Sequence, residues 1–245
     1  MTMETEKAAP EEVVLVPVYR GGAAFARFLD DLLGRVSPDR VLVVDDGSDD
    51  GSAETALARG ANCVRFPENR GKGAALEAGL RWWTERGAQR IATLDADGQH
   101  PASVLPELFA RARETDAGVV VGARDLESAK MPRARRFSNR TTTAMLSALA
   151  GVPLFDSQCG CRCYSSRVAT RGLFPESGRF AWESEVLVLA ARAGERIERI
   201  PIPVVYAPRG ESGSHISHVR DTLRFLKLWF RLWRRFGFAR PPRRP

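Results

Sequence analysis

Two carboxylates one residue apart close a short apolar run in RIATLDADGQHP, residues 90–101. Ile91, Ala92, Thr93 and Leu94 read as a buried strand, and Asp95 and Asp97 follow at its end. An ionised carboxylate is costly to take out of water, so something cationic should meet this pair. Hard oxygen donors at this spacing converge where a strand breaks into a turn and can hold Mg²⁺ or Mn²⁺, with phosphate oxygens of a ligand completing the shell. Gln99 offers a further carbonyl oxygen. The competing reading is a turn in which the Asp side chains cap local backbone. A second pair, Asp45 and Asp46 in VLVVDDGSDDGS, stands at another strand end. There a carboxylate can accept from a ribose hydroxyl or a base N–H, or form an Asx turn. In ENRGKGAAL, Gly71 and Gly73 flank Lys72 at a helix start, a setting that favours a phosphate.

These groups need a frame that brings strand ends together. Residues 12–19 read as a buried strand, with further strands at 41–46, 61–67, 90–95 and 116–124. Between them, apolar residues recur at helical spacing, as in Phe25, Phe28, Leu29 and Leu32. Alternating strands and helices predict an α/β fold with a mostly parallel central sheet, whose ligands bind outside the carboxyl ends of the strands. The second half is less regular. A helix is expected at 134–150, a strand in CGCRCYSS, a helix in SEVLVLAARAG and a proline-bearing edge strand in RIERIPIPVVYAP. A long amphipathic helix follows from His215. Residues 1–11 and the tail 239–245 are expected to be disordered.

Composition narrows the function classes. The chain has 245 residues, 44% of them hydrophobic, and a formal net charge of +7. Its pI near 9.7 favours anionic partners. The excess concentrates at Arg133, Arg135, Arg136 and Arg140 and from Arg220 onward, not as a uniform coat. A nucleic-acid module fits poorly, because the basic residues are not interleaved with a recognised binding motif and acidic strand ends repel phosphates. Of four cysteines, Cys159, Cys161 and Cys163 alternate. That is neither a disulfide framework nor paired zinc spacing, so buried free thiols in a reducing compartment are expected. No apolar run approaches the roughly 18 residues of a membrane span, and no signal peptide is evident. A cytoplasmic protein is expected, one that also sits peripherally on the inner face of the cell membrane.

Taken in order, VLVPVYRGG, VLVVDDGSDDGS, NRGKGAAL, TLDADGQHP, VGARD, FDSQCGCRCY and WESEVLVLAARAG resemble the family 2 glycosyltransferases of the GT-A fold, over roughly residues 12–222. The DADGQHP form is similar to the dolichyl- and polyprenyl-phosphate sugar transferase branch. The resemblance implies a nucleotide-sugar half at 12–124 and an acceptor half at 125–212. It implies Pro17 and Tyr19 at the base, Asp45 or Asp46 at base or ribose, and Lys72 near the nucleotide. Asp95, Asp97 and Gln99 would be the metal ligands, and Arg124 and Arg136 would face phosphates or acceptor. Arg20-Gly21 stands where the family has Asn-Glu after the tyrosine, so an acidic group that helps hold the nucleotide is missing.

The implied reaction is inverting transfer of a sugar from a UDP- or GDP-linked donor. An acceptor lipid phosphate is already anionic and needs only cations to place it, with Arg136, His215 and Arg220 as candidates. The resemblance puts Gln158, within DSQCG, on the same side. A hydroxyl acceptor needs a base within hydrogen-bond reach, and Asp156, Glu183 and Glu185 are the carboxylates to consider. Glu183 and Glu185 could instead be helix-start acids favoured by the dipole. In the last helix, Arg220, Arg224, Lys227, Arg231, Arg234 and Arg235 read as one basic stripe beside Trp and Phe. That suits an anionic bilayer surface, or a helix packing its apolar side on the domain. A catalytically silent membrane scaffold is the remaining rival, and intact Asp95, Asp97 and Gln99 oppose it.

Overall fold

A computed structural model of the chain describes residues 10–124, 133–175, 182–203 and 218–238; the side chains of 133–135 and 218–224 are also outside the described residues. The candidate His215, the side chain of Arg220, the tail 239–245 and nearly all of the N-terminal segment therefore lie outside them.

The first half alternates as expected. Strand β1 (Glu12–Val18) leads to helix α1 (Gly22–Leu33), β2 (Val41–Asp45) to α2 (Ser52–Ala58), β3 (Asn62–Arg65) to α3 (Lys72–Glu85), and β4 (Arg90–Thr93) to α4 (Leu105–Thr115). Then come β5 (Val119–Arg124), α5 (Arg133–Ala150), β6 (Arg162–Ser165), the single turn α6 (Arg167–Thr170), α7 (Trp182–Arg192), β7 (Ile197–Ile202) and α8 (His218–Phe236). Seven strands form one sheet in the order β3-β2-β1-β4-β6-β5-β7. Six share one direction; β6 alone runs antiparallel, to both β4 and β5. The sheet is mostly parallel, but β4 and β5 are not neighbours, because the strand from the CGCRCY segment inserts between them. β7, with its proline, occupies an edge.

Burial on both faces explains the apolar runs. Every residue of β2 is buried, and so are Val13–Val18 of β1. Helix α3 lies close on β1: a Cβ on Gly79 would stand 2.2 Å from Leu15 Cδ1, and Trp83 Nε1 donates to the Val14 carbonyl at 3.2 Å. Pro17, in a central strand, is tolerated because pairing with β4 ends at Leu15↔Thr93. Helix α4 packs along β4 to β7, while α5 packs on α7 and α8 on α5. The three alternating cysteines are buried and free. Burial pushes the Cys159 thiol up to about 12, so it is not a reactive thiolate. Among the described residues no helix is long and apolar enough to cross a membrane.

Candidate active site

The carboxyl edge of β1, β2, β4 and β5 gathers Tyr19, Asp45, Asp95 and Arg124. Strands β1, β2 and β4 end there because the next residues bend or turn. At β2 the turn is knit by its own acids. Asp45 is fully buried and accepts from Ser48 N at 3.0 Å; its Oδ2 has no hydrogen-bond partner and lies 3.5 Å from Arg65 Nε. Asp46 accepts from Arg70 N at 2.7 Å and Gly71 N at 2.8 Å, fixing the loop that starts α3. Gly47 is required where it stands: its φ is +76°, and a Cβ would lie 2.5 Å from the Glu68 carbonyl carbon. Tyr19 is 44% exposed. Arg20 sits over its ring, 5.3 Å from the centroid, and forks onto Asp49 at 2.8 and 2.7 Å. The cationic residue that departs from the family pattern is thus held by an acid of the DDGSDDGS turn.

Asp95 and Asp97 behave differently, although one residue separates them. Lys72 Nζ lies 2.6 Å from Asp95 Oδ1 and 3.0 Å from Glu183 Oε1. Burial alone would lower the lysine, but the two carboxylates outweigh it and hold the ammonium above its ordinary value. Burial likewise works to raise Asp95, and Lys72 overcomes it, so Asp95 sits below the usual range. Asp97 accepts only from Gln99 N, at 2.9 Å, and no cation among the described residues is within ion-pair reach. Desolvation, with the charge of Asp95 behind it, raises its pKa. A carboxylate in that state gains from an added cation. Gln99 is half-buried beside it. Among the described residues no three His, Cys, Asp or Glu side chains cluster as a ready metal cage.

Arg124, at the end of β5, makes a bidentate pair with Asp156: Nε to Oδ2 at 2.6 Å and NH2 to Oδ1 at 2.7 Å. Asn139 Nδ2 also donates to Asp156 Oδ1, at 2.8 Å. Burial works to raise Asp156, and the hydrogen bonds from Arg124 prevail and lower it. The expected base role for Asp156 does not suit this geometry, because both its oxygens are engaged by cationic or amide donors. Glu183 is engaged by Lys72. Glu185 points elsewhere: its Oε2 accepts from Arg231 NH2 of α8 at 2.5 Å. Two residues apart on a helix face different ways, so the WESE acids part company. Both are buried and both stand in the first turn of α7, where the helix dipole favours acids, so the helix-start reading holds alongside these pairings. Arg231 correspondingly leaves the expected basic stripe. Arg136 is half-buried, with an unsatisfied Nε, and Gln158 is exposed.

Sequence reasoning missed Arg162, His100 and Gly160. Arg162 is fully buried in β6 and donates to the carbonyls of Cys159 at 2.8 Å and Ser157 at 2.9 Å, to the Glu183 carbonyl, and to Tyr164 Oη at 3.3 Å. It ties the loop that carries Asp156 and Gly160 to the start of α7. An Arg inside a buried strand pattern was the available signal, since such a charge must find carbonyls. His100 is buried, 3.6 Å from Cys159 Sγ, with Nδ1 unpartnered; burial lowers its pKa. Gly160 lies under Asp95: a Cβ there would stand 2.5 Å from Asp95 Oδ2. Gly160→Ala should therefore displace Asp95 from Lys72, cost about 1–3 kcal/mol by overpacking and lower turnover at least tenfold. Chemical denaturation and initial rates on the purified variant test this; wild-type values for both would show that Asp95 moves without consequence.

Residues 13–174 match Glycosyl transferase family 2, and the chain belongs to that family: it is a glycosyltransferase with the GT-A fold. Among relatives, it is 31% identical to an undecaprenyl-phosphate mannosyltransferase of Micrococcus luteus, over 82% of this chain and 86% of that one. Among solved structures, it superposes on a mannosyltransferase from Pyrobaculum calidifontis in complex with GDP-Man and Mn²⁺ with a TM-score of 0.69 and 23% identity, over 97% of this chain and 67% of that one. A glucosyl-3-phosphoglycerate synthase from Mycobacterium tuberculosis in complex with Mg²⁺ and UDP gives a TM-score of 0.68 at 19% identity, over 96% and 83%. The family match ends before α7 and α8, so Glu183, Glu185 and Arg231 lie beyond it.

Proposed function

We propose that this protein transfers a sugar, with inversion, from a UDP- or GDP-linked donor to a polyprenyl phosphate, and that it requires Mg²⁺ or Mn²⁺. One observation carries the choice of acceptor. All three carboxylates that could serve as a general base are engaged by arginine or lysine: Asp156 by Arg124, Glu183 by Lys72, Glu185 by Arg231. A hydroxyl acceptor would need one of them to take its proton. A phosphate acceptor carries its charge already. The relative from Micrococcus luteus, named for an undecaprenyl-phosphate acceptor, supports the same reading.

In this reading Asp95 and Asp97 would hold the ion, with Gln99 and the donor's phosphates offering further oxygens. The uncompensated Asp97 and the oxygen-only donor set fit a hard divalent cation. When bound, the ion neutralises charge that grows on the departing nucleoside diphosphate. Tyr19 and Pro17 line the base, and Asp45 and Asp46 shape the ribose side. Lys72 stays close to the diphosphate. Arg124 and Arg136 place the acceptor phosphate, with Gln158 from the acceptor half and His215 and Arg220 from the segment after it. A phosphate oxygen forms the new bond to C1 while the bond from C1 to the diphosphate breaks, its electron pair leaving with the diphosphate. No proton need move. Residues 12–124 act as the donor half and 125–212 as the acceptor half.

Donor and metal can be tested together by thermal unfolding with UDP- and GDP-sugars, with and without Mn²⁺. One donor should raise Tm only when Mn²⁺ is present; equal stabilisation without metal would overturn the metal requirement.

Helix α8 supports a site at an anionic membrane surface. Leu228 and Leu232 are buried against the domain, while Leu226, Phe230 and Trp233 are exposed, with Lys227, Arg234 and Arg235 beside them. The helix thus packs and also presents an outer apolar and basic face. Phe230→Asp with Trp233→Asp should cut binding to liposomes containing phosphatidylglycerol at least fivefold in low salt. Unchanged sedimentation with the liposomes would return that face to solvent.

A further inference from the structure

Lys72 and Glu183 meet on a rigid frame. Helices α3 and α7 start against each other: a Cβ on Gly73 would stand 2.8 Å from Cδ1 of Trp182, the first residue of α7. Such close approach needs glycine and fixes the two helix starts. On the other side of Lys72, Gly71 N donates to buried Asp46 at 2.8 Å. Arg162, inside the sheet, donates to the Glu183 carbonyl. The 3.0 Å contact from Lys72 Nζ to Glu183 Oε1 thus joins two backbones that are anchored without help from Asp95. Asp95 is placed differently. It follows β4 on the loop that leads towards α4, and its side chain is 27% exposed against 9% for Glu183.

Lys72 is the first residue of α3, where the helix dipole disfavours a cation. Its ammonium stays there because two carboxylates flank it, Asp95 Oδ1 at 2.6 Å and Glu183 Oε1 at 3.0 Å. A lysine is a compact charge on a flexible four-carbon stem, so it can leave one carboxylate for another without moving its backbone. A divalent ion on Asp95 would repel an ammonium on the same carboxylate. Glu183, the more buried and more firmly anchored of the two partners, then offers Lys72 the contact that remains.

We propose that Lys72 and the divalent cation compete for Asp95, and that Glu183 is the positioning residue that keeps Lys72 in the site when the cation takes Asp95. This rests on the metal reading given above and gives Glu183 a role that needs no contact with substrate. The test is Mn²⁺ binding to the full chain without donor, read from the electron paramagnetic resonance signal of the free ion. Lys72→Met should lower the Kd for Mn²⁺ at least tenfold. Lys72→Gln, which keeps an amide donor for the two carboxylates, should lower it at least fivefold. Glu183→Gln should raise the Kd at least fivefold, because Lys72 then has only Asp95 to hold. In the Lys72→Met background the same Glu183→Gln change should move the Kd less than twofold, since Glu183 acts through the lysine. An unchanged Kd in both Lys72 variants would overturn the competition. An equal loss from Glu183→Gln with and without Lys72 would make Glu183 a direct charge on the ion and end its positioning role. If Asp97→Asn binds Mn²⁺ as tightly as wild type, the metal reading itself fails and takes the inference with it.

Discussion

Asp97→Asn should abolish sugar transfer, lowering kcat/KM by about a thousandfold or more, while the protein melts no lower than wild type. The two effects separate because of what surrounds this carboxylate. Asp97 has no cation partner among the described residues and one backbone donor, Gln99 N. Its pKa is raised in the folded protein, by desolvation first. A raised carboxylate favours folding at low pH, and that contribution is lost as pH rises through the folded pKa. At neutral pH the ionised group thus costs stability, and a neutral amide removes that cost. Asp95→Asn should also be inactive, but should melt lower, since it strips Lys72 of its 2.6 Å partner and leaves Glu183 alone to face the ammonium. Paired calorimetry and donor-saturated assays on both variants check this. An Asp97→Asn protein that turned over normally would remove Asp97 from the chemistry.

Asp156→Ala should destabilise the fold by about 3–5 kcal/mol, the usual cost of breaking a buried ion pair from one side. Both partners are largely buried, with side chains 11% and 2% exposed for Arg124 and Asp156. Removing the carboxylate leaves a guanidinium without its fork and Asn139 without its acceptor. The same pair predicts a pH dependence. Asp156 is held below the ordinary aspartate range, so its contribution is present above the unfolded value and is lost as pH falls through the folded one. Wild type should lose more stability on acidification than Asp156→Asn does, measured by urea unfolding at neutral and mildly acidic pH. If Asp156 were a general base, its replacement would lower turnover and leave unfolding unchanged.

Much of the carboxyl edge of the sheet was legible in the residue order. Continuous apolar runs set β1 to β5, and spacing near 3.6 set the helices between them, because burying those faces dominates the energetics of an α/β layer. Polar strand ends then had to collect on one edge, and Asp45, Asp95 and Arg124 do so. The insertion of β6 between β4 and β5 was not legible. Local pattern reports a strand and its buried faces, not which neighbours it will have.

The sequence by itself determined the kind of site: acids at strand ends, a lysine at a helix start, glycines where the backbone turns, all in one mostly parallel sheet. Tertiary structure decided which charges meet. Lys72 reached Glu183 across 111 positions of chain while also holding Asp95, Arg162 tied the Asp156 loop to α7, and Glu185 turned away to Arg231. A carboxylate's role depends on the cation that reaches it in three dimensions. Coulomb attraction and desolvation act through space, and the order of residues does not record those distances.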